Sequence, residues 1–206
     1  MSDTLVEAPK MFREMDGVRL ENVRIPNAQE TLWYCRNVDL KNVRADRADY
    51  LFLHGENIRI EDYVQNGNYS FQYCRNVTIR DAEIHSKDAF WNSEDVTVYD
   101  SVLDGEYLGW HSKRLKLVNC RISGTQPLCY AQDLVMENCT MDDDCDLAFE
   151  YSTLRADIKG CVRSVKNPRS GSITAGGYGE IILDAHVKAP ADCEIRVGGE
   201  RNCFSA

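Results

Sequence analysis

The chain has the size of a single domain, an ordinary globular composition and an acidic balance. It has 206 residues, is 43% hydrophobic and 28% charged, and carries a formal net charge of −9, which together argue against disorder. The acidic balance disfavours nucleic acids and anionic membranes, whose recognition needs a basic surface. We see no secretory leader, no membrane-length apolar run and no CxxC pair among the nine cysteines, so we expect a cytoplasmic protein with reduced thiols.

Short segments of the form polar, apolar, polar, apolar, polar, Asn/Asp recur along the chain. They start at positions 17, 37, 57, 76, 95, 114 and 133, so the period is first 20 and then 19 residues. Such a period is too short for a pair of helices, and the alternation is typical of strands. The sequence therefore predicts an all-β fold, a single-stranded right-handed parallel β-helix (solenoid) with about 19–20 residues per coil.

Stacking the repeats aligns apolar residues into four columns that we expect to face the interior. Two lie in the strand segments: Val38, Ile58, Val77, Val96, Leu115 and Leu134, and then Leu40, Ile60, Ile79, Val98, Leu117 and Met136. A third is Ile25, Ala45, Ile84, Leu103, Ile122 and Met141. The fourth is a spine of Phe12, Leu32, Phe52, Phe71, Phe90, Leu128 and, in approximate alignment, Phe149, and Gly109 interrupts it. Each coil then buries its apolar residues against its neighbours.

A column of Asn and Asp follows the strand segments and predicts a bend in every coil. Its members are Asn22, Asn42, Asp62, Asp81, Asp100, Asn119 and Asn138. Asn and Asp tolerate left-handed backbone angles, and their stacked side chains can form hydrogen bonds from coil to coil. We expect these residues to form a structural ladder.

The repeat pattern changes at both ends of the single predicted domain, 1–206. Asp3, Val6 and Phe12 fall in the bend, apolar and spine columns, so Met1 lies part-way through a coil. We expect either further coils upstream or an open end that stacks on a partner, for example a second copy of the chain. Regular coils span 1–141, and irregular coils and loops span 142–206. Strands are predicted there at 154–158, 173–175, 181–183 and 195–197, and turns at 166–171 and 176–177.

Four segments make the chain resemble a known family. They are Asn27–Trp33, Ser86–Ser93, Gly105–Trp110 and Leu147–Thr153. The family is a mainly bacterial group known only as a domain of unknown function, with a predicted pectate-lyase-like β-helix. The resemblance covers nearly the whole chain and implies further coils before Met1 in typical members. It implies the fold and no activity or catalytic residues.

Two columns beside the spine form a strip of polar aromatic residues. The first, which alternation places outward, is Trp33, Leu53, Gln72, Trp91, Trp110, Cys129 and Glu150; the second is Tyr34, His54, Tyr73, Asn92, His111, Tyr130 and Tyr151. Exposed rings beside polar groups suit a sugar, which makes Trp33, Trp91, Trp110, His111 and Tyr130 the candidate ligand-binding residues. The alternative is an aromatic ladder that only stabilises the sheet.

Two acids near the strip are candidate catalytic residues. Asp88 and Glu106 occupy neighbouring loop positions on successive coils, and a close carboxylate pair is the minimum for glycoside hydrolysis. Lys87 and His111 could shift their pKa values or neutralise a uronate. The alternative is a pair of solvated surface acids.

The remaining polar clusters give weaker signals. The acidic run 142–146 could bind calcium but lacks the spacing of a calcium loop, so a solvated turn is favoured. The histidines fall on separate coils, and we predict neither a metal nor a cofactor. Cys120 and Cys139 share a column and are expected to be buried thiols. Two functions stay open: a carbohydrate-interacting protein, as a hydrolase, a lyase or a simple binder, and a non-catalytic scaffold that binds a protein or itself.

Overall fold

A computed structural model describes residues 1–184, 192–198 and 203 of the chain. In these residues every regular element is a strand, and the strands pair in parallel within one sheet. They are β1 (Ser2–Leu5), β2 (Asp16–Ile25), β3 (Arg36–Asp46), β4 (Glu56–Asn66), β5 (Arg75–His85), β6 (Glu94–Tyr99), β7 (Val102–Asp104), β8 (Lys113–Val118), β9 (Arg121–Ser123), β10 (Leu134–Met141), β11 (Thr153–Lys166), β12 (Ser170–Ile182) and β13 (Asp192–Val197). The chain is a parallel β-solenoid, which confirms the predicted fold class. No helix capable of crossing a membrane occurs in the described ranges.

Strand pairing follows the period read from the sequence. Val18 pairs with Val38, a step of 20 residues, and Ile58 pairs with Val77, a step of 19. Both strand columns point into the solenoid and are buried along its length. The residues between them face solvent, which is why polar and apolar positions alternate so regularly.

The phenylalanine spine runs through the interior beside these strands. Phe71 stacks on Phe52 at a centroid distance of 4.8 Å and on Phe90 at 5.1 Å, and all three rings are fully buried. A Cβ at Gly109 would lie only 2.9 Å from the side chains of Leu115 and Leu128. Those two leucines therefore occupy the space that a ring at position 109 would need.

Each coil from Phe12 to Leu128 places residues in the left-handed region at five recurring positions. In the Phe71 coil these are Tyr69 (φ 64°), Phe71 (57°), Tyr73 (57°), Asn76 (52°) and Asp81 (52°). Among the described non-glycine residues with positive φ there is no Val, Ile or Thr, because a β-branched side chain clashes with the backbone there. The columns are thus selected for backbone conformation as well as for polarity.

Asparagine ladders line two of these left-handed columns. All seven predicted bend residues have positive φ, and Asn42 Nδ2 donates to Asn22 Oδ1 at 2.8 Å. Asp62, Asp81 and Asp100 follow one another in this column. Because a carboxylate has no N–H to donate to the next coil, these three side chains cannot continue the amide ladder. A second ladder, which the sequence reading missed, joins Asp16, Asn37, Asn57 and Asn76 through amide hydrogen bonds of 2.6–3.1 Å. The sequence feature that could have predicted this second ladder is the asparagine that opens the repeats starting at 37, 57 and 76.

The C-terminal coils depart from the period. Leu154 pairs with Gly171, a step of 17 residues, and Ser170 pairs with Asp192, a step of 22. The predicted turn at 176–177 is wrong, because both glycines lie within β12. A Cβ on Gly176 would lie 2.8 Å from the carbonyl oxygen of Gly160, so glycine permits the close approach of β11 where the register shifts. Position 183, expected to be the end of a strand, lies just outside β12.

One disulfide corrects the expectation of nine reduced thiols. Cys161 and Cys203 are bonded, with their Cα atoms 5.7 Å apart, a normal separation for a disulfide. Cys161 lies at the register shift between β11 and β12, outside the regular columns, so coil alignment could not reveal its neighbour. The other seven cysteines are free; Cys120 and Cys139 are among the buried ones.

Candidate functional site

The tryptophan column of the predicted strip is only partly exposed. Trp33, Trp91 and Trp110 are half-buried. The indole N–H of Trp33 donates to the carbonyl of Tyr50, and that of Trp110 donates to the carbonyl of Gln126 at 2.7 Å. These two rings therefore lie along the next coil and do not project from it.

Cys129 shows why alternation failed in this column. The prediction that the whole column faces outward is wrong, because Cys129 is fully buried and its thiol lies 3.5 Å from the carbonyl oxygen of Leu147. Strict alternation assumes extended backbone, whereas the left-handed residues at every second position turn this loop. The direction of each side chain in this column therefore depends on the left-handed turns and not on simple alternation.

The next column forms two ring stacks separated by one polar residue. The first stack is Tyr34, His54 and Tyr73, with centroid distances of 5.1 and 4.8 Å. The second is His111, Tyr130 and Tyr151, with distances of 4.8 and 5.6 Å. Rings within a stack cover one another's faces, so most of this column is a stabilising ladder. Asn92 alone interrupts it.

A second ring column, on the other side of the spine, was not predicted from the sequence. Tyr50 and Tyr69 stack at 4.7 Å, and Tyr107 follows two coils later. Asp88 occupies the position between Tyr69 and Tyr107 and has the same left-handed backbone, with φ of 54°. The recurrence of tyrosine two residues before the spine was the signal that could have revealed this column.

Both ring columns are therefore interrupted on one coil, at Asp88 and Asn92. We call this level, with Trp91, the notch. Since coils stack at about 4.8 Å, the rings flanking each interruption lie about 9.6 Å apart. The Trp91 ring lies 5.5 Å from that of His111 and 5.7 Å from that of Trp110. Among the described residues its indole N–H has no acceptor, unlike those of Trp33 and Trp110.

The predicted catalytic acids meet at the notch in different environments. Asp88 is 6% exposed and its Oδ1 has no hydrogen-bond partner among the described residues. Burial raises the pKa of the Asp88 carboxyl, the negative charge of Glu106 adds to this, and Lys87 opposes it. The main-chain N–H of Asp88 donates to the carbonyl of Glu106 at 2.8 Å, which fixes the two coils against each other.

Glu106 and Lys87 form the exposed side of the notch. Lys87 Nζ lies 3.3 Å from Glu106 Oε2 and 5.1 Å from the centroid of the Tyr107 ring. The hydrogen bond to Glu106 raises the pKa of Lys87. Lys87 thus neutralises Glu106, and the buried Asp88 has no ion pair of its own within the part of the chain that the structure describes.

Four of the five predicted ligand-binding residues lie in one cluster. Trp110 contacts the ring of Tyr130 edge-on at 5.2 Å, and Trp91 and His111 complete the group. Burial lowers the pKa of His111 and raises that of Tyr130. Trp33 is the exception, because it lies three coils away under the guanidinium of Arg13, at 4.2 Å.

Other candidate features lie elsewhere. A groove of about 690 Å³ follows the bend and is lined by ladder residues such as Asn42, Asp62 and Asp81. In the acidic run, Asp142 pairs with Arg121 at 2.8 Å. No group of three or more His, Cys, Asp or Glu suited to a metal ion occurs within the described ranges.

The geometry defines a parallel β-solenoid with a buried aromatic spine, Asn/Asp ladders and two ring columns that are interrupted at one coil. Residues 1–196 match the family described as "Protein of unknown function (DUF3737)". The chain belongs to this family, which confirms the resemblance to a family of unknown function. Comparisons with curated proteins and with solved structures gave no match.

Proposed function

We propose that the protein is a carbohydrate-binding β-solenoid that holds a glycan at the notch. The observation that carries this proposal is the interruption of both ring columns on one coil, beside Trp91. A sugar ring needs an apolar surface with hydrogen-bond partners around it. Trp91 supplies a partly exposed ring and an uncommitted N–H, while Asn92 and Glu106 supply exposed polar groups.

Binding fits this geometry better than hydrolysis does. A general acid must come within hydrogen-bond reach of the glycosidic oxygen, and Asp88 is 6% exposed. Glu106 is exposed but held by Lys87. The raised pKa of Asp88 is what an acid catalyst would need, yet its burial keeps the carboxyl from a substrate in this conformation. Simple binding requires no such movement at Trp91.

A glycan panel with two tryptophan variants tests the proposal. Trp91→Ala should weaken binding of any captured glycan about tenfold or more, equivalent to roughly 1.4 kcal/mol. Trp33→Ala is the matched control, because that ring is covered by Arg13 and its N–H is already bonded. Failure of the wild-type protein to bind any glycan, or undiminished binding by Trp91→Ala, would overturn the proposal.

Exposed apolar residues along β1 favour a second function, self-association. Within the described residues β1 pairs only with β2, and Met1 and Leu5 beside its free edge are 56% and 55% exposed. A strand edge without a partner, flanked by exposed apolar side chains, is a template for another chain. We propose a second copy as the partner. Light scattering over a concentration series should show dimers that Leu5→Lys abolishes, and a wild-type monomer at every concentration would contradict this.

A further inference from the structure

The notch contains a buried carboxyl oxygen that accepts no hydrogen bond from the described residues. Asp88 Oδ1 is inaccessible to solvent and accepts no hydrogen bond, an arrangement that native proteins rarely leave without a reason. We propose that the notch selects glycans carrying a protonated amine, such as unacetylated 2-amino sugars, whose ammonium group pairs with Asp88. This inference rests on the proposed function and names its ligand class.

The interruption of the tyrosine column at Asp88 is one coil wide. Tyr69, Asp88 and Tyr107 have nearly the same backbone conformation, with φ of 64°, 54° and 60°, so their side chains leave equivalent backbone positions. Where the column is complete, Tyr50 and Tyr69 stack at 4.7 Å. A sugar ring in the place of the missing tyrosine would lie at a similar distance from Tyr69 and from Tyr107. A substituent of that sugar ring would then lie beside the carboxyl of Asp88.

The charges of the notch favour a cation over a neutral ligand. Two carboxylates, Asp88 and Glu106, face one ammonium group, Lys87, and that ammonium is bonded to Glu106. One further positive charge would balance the site, and the net charge of −9 attracts cations to the chain as a whole. An N-acetyl group in the same place would offer Asp88 only a neutral amide N–H and would leave the negative charge of the carboxylate unbalanced.

Lys87 shows that an ammonium group fits here. Its Nζ lies over the Tyr107 ring beside a carboxylate, a combination of ring face and negative charge that recognises cations. The Lys87 side chain is 40% exposed, and an exposed ion pair of this kind holds its partners weakly. A ligand amine that displaces Lys87 Nζ would therefore take over the electrostatic attraction that Asp88 exerts on Lys87.

Calorimetry with two tetrasaccharides tests the selection. The probes are a glucosamine tetramer, at a pH where its amines are protonated, and the N-acetylglucosamine tetramer. The wild-type protein should bind the amino tetramer at least tenfold more tightly. Asp88→Asn keeps the size and the left-handed tolerance of the residue, and should reduce this ratio to about one at an unchanged melting temperature. Lys87→Met should raise the affinity for the amino tetramer, because the competing cation is gone.

Asp81→Asn is the matched control, since it removes one carboxylate from a left-handed position on the bend, outside the notch. The Asp81→Asn variant should prefer the amino tetramer over the N-acetylated tetramer as strongly as the wild type does. Equal binding of both tetramers by the wild type, or an undiminished preference in Asp88→Asn, overturns this inference and leaves glycan binding standing. Failure to bind either tetramer also overturns it, and the glycan panel then decides separately whether the proposed function survives.

Discussion

Replacing Phe71 by alanine tests whether the ring spine holds the coils together. Phe71 is fully buried between Phe52 and Phe90. Loss of a buried phenylalanine costs about 3–5 kcal/mol, and each of the two ring pairs contributes about 0.5–1.5 kcal/mol more. The two neighbours belong to separate coils whose spacing is fixed by strand pairing, so they cannot close the cavity. We expect the free energy of unfolding to fall by about 5 kcal/mol.

Phe71→Leu is the control for this variant. Leucine already occupies the spine at Leu32 and Leu128, with φ of 59° and 61°, so the backbone accepts it and most of the volume is kept. We expect a loss of only about 1–1.5 kcal/mol. Urea unfolding followed by circular dichroism and by tryptophan fluorescence gives both values, and coincident transitions show two-state behaviour. Equal losses for alanine and leucine would refute the stacked-spine reasoning.

Three further predictions follow from other parts of the fold. Asn57→Ala removes two ladder hydrogen bonds and should lower the free energy of unfolding by about 1–2 kcal/mol in urea titrations; an unchanged value would count against the ladder. A thiol assay in denaturant without reductant should count seven thiols, and nine after reduction; nine in both would exclude the Cys161–Cys203 disulfide. A hydrogen bond to Asp104 raises the pKa of His85 in the folded state. The contribution of protonated His85 to the stability of the fold is therefore complete below about pH 6.5, and it is lost as the pH rises through the raised pKa. His85→Gln should flatten stability above about pH 6.5, and an unchanged pH profile would contradict this.

The repeating part of the fold was predictable because each coil adds the same information. Val38, Ile58 and Val77 recur at a fixed spacing with polar neighbours, and only a strand stack satisfies that pattern. The C-terminal coils lack this redundancy. Their register depends on close backbone approaches such as that of Gly176 to Gly160. No column of similar residues predicts these approaches.

The notch was only half predictable. Asp88, Trp91 and Asn92 were visible in the sequence, but Asp88 stood out as an acid and not as a gap in a tyrosine column. That column became visible once the left-handed positions were known, because they place Tyr69, Asp88 and Tyr107 in equivalent conformations. Burial of Asp88 depends on neighbouring coils, and a single-coil pattern carries no such information.

The most direct test of glycan binding at the notch is the indole N–H spectrum of the ¹⁵N-labelled protein. The chain has three tryptophans, so three resonances report separately on Trp33, Trp91 and Trp110 during titration with a glycan from the panel. The Trp91 resonance should move, because its N–H is uncommitted and lies in the notch, while that of Trp33 should stay in place. A bound glycan that leaves the Trp91 resonance unmoved, or that moves only the Trp33 resonance, would contradict the account.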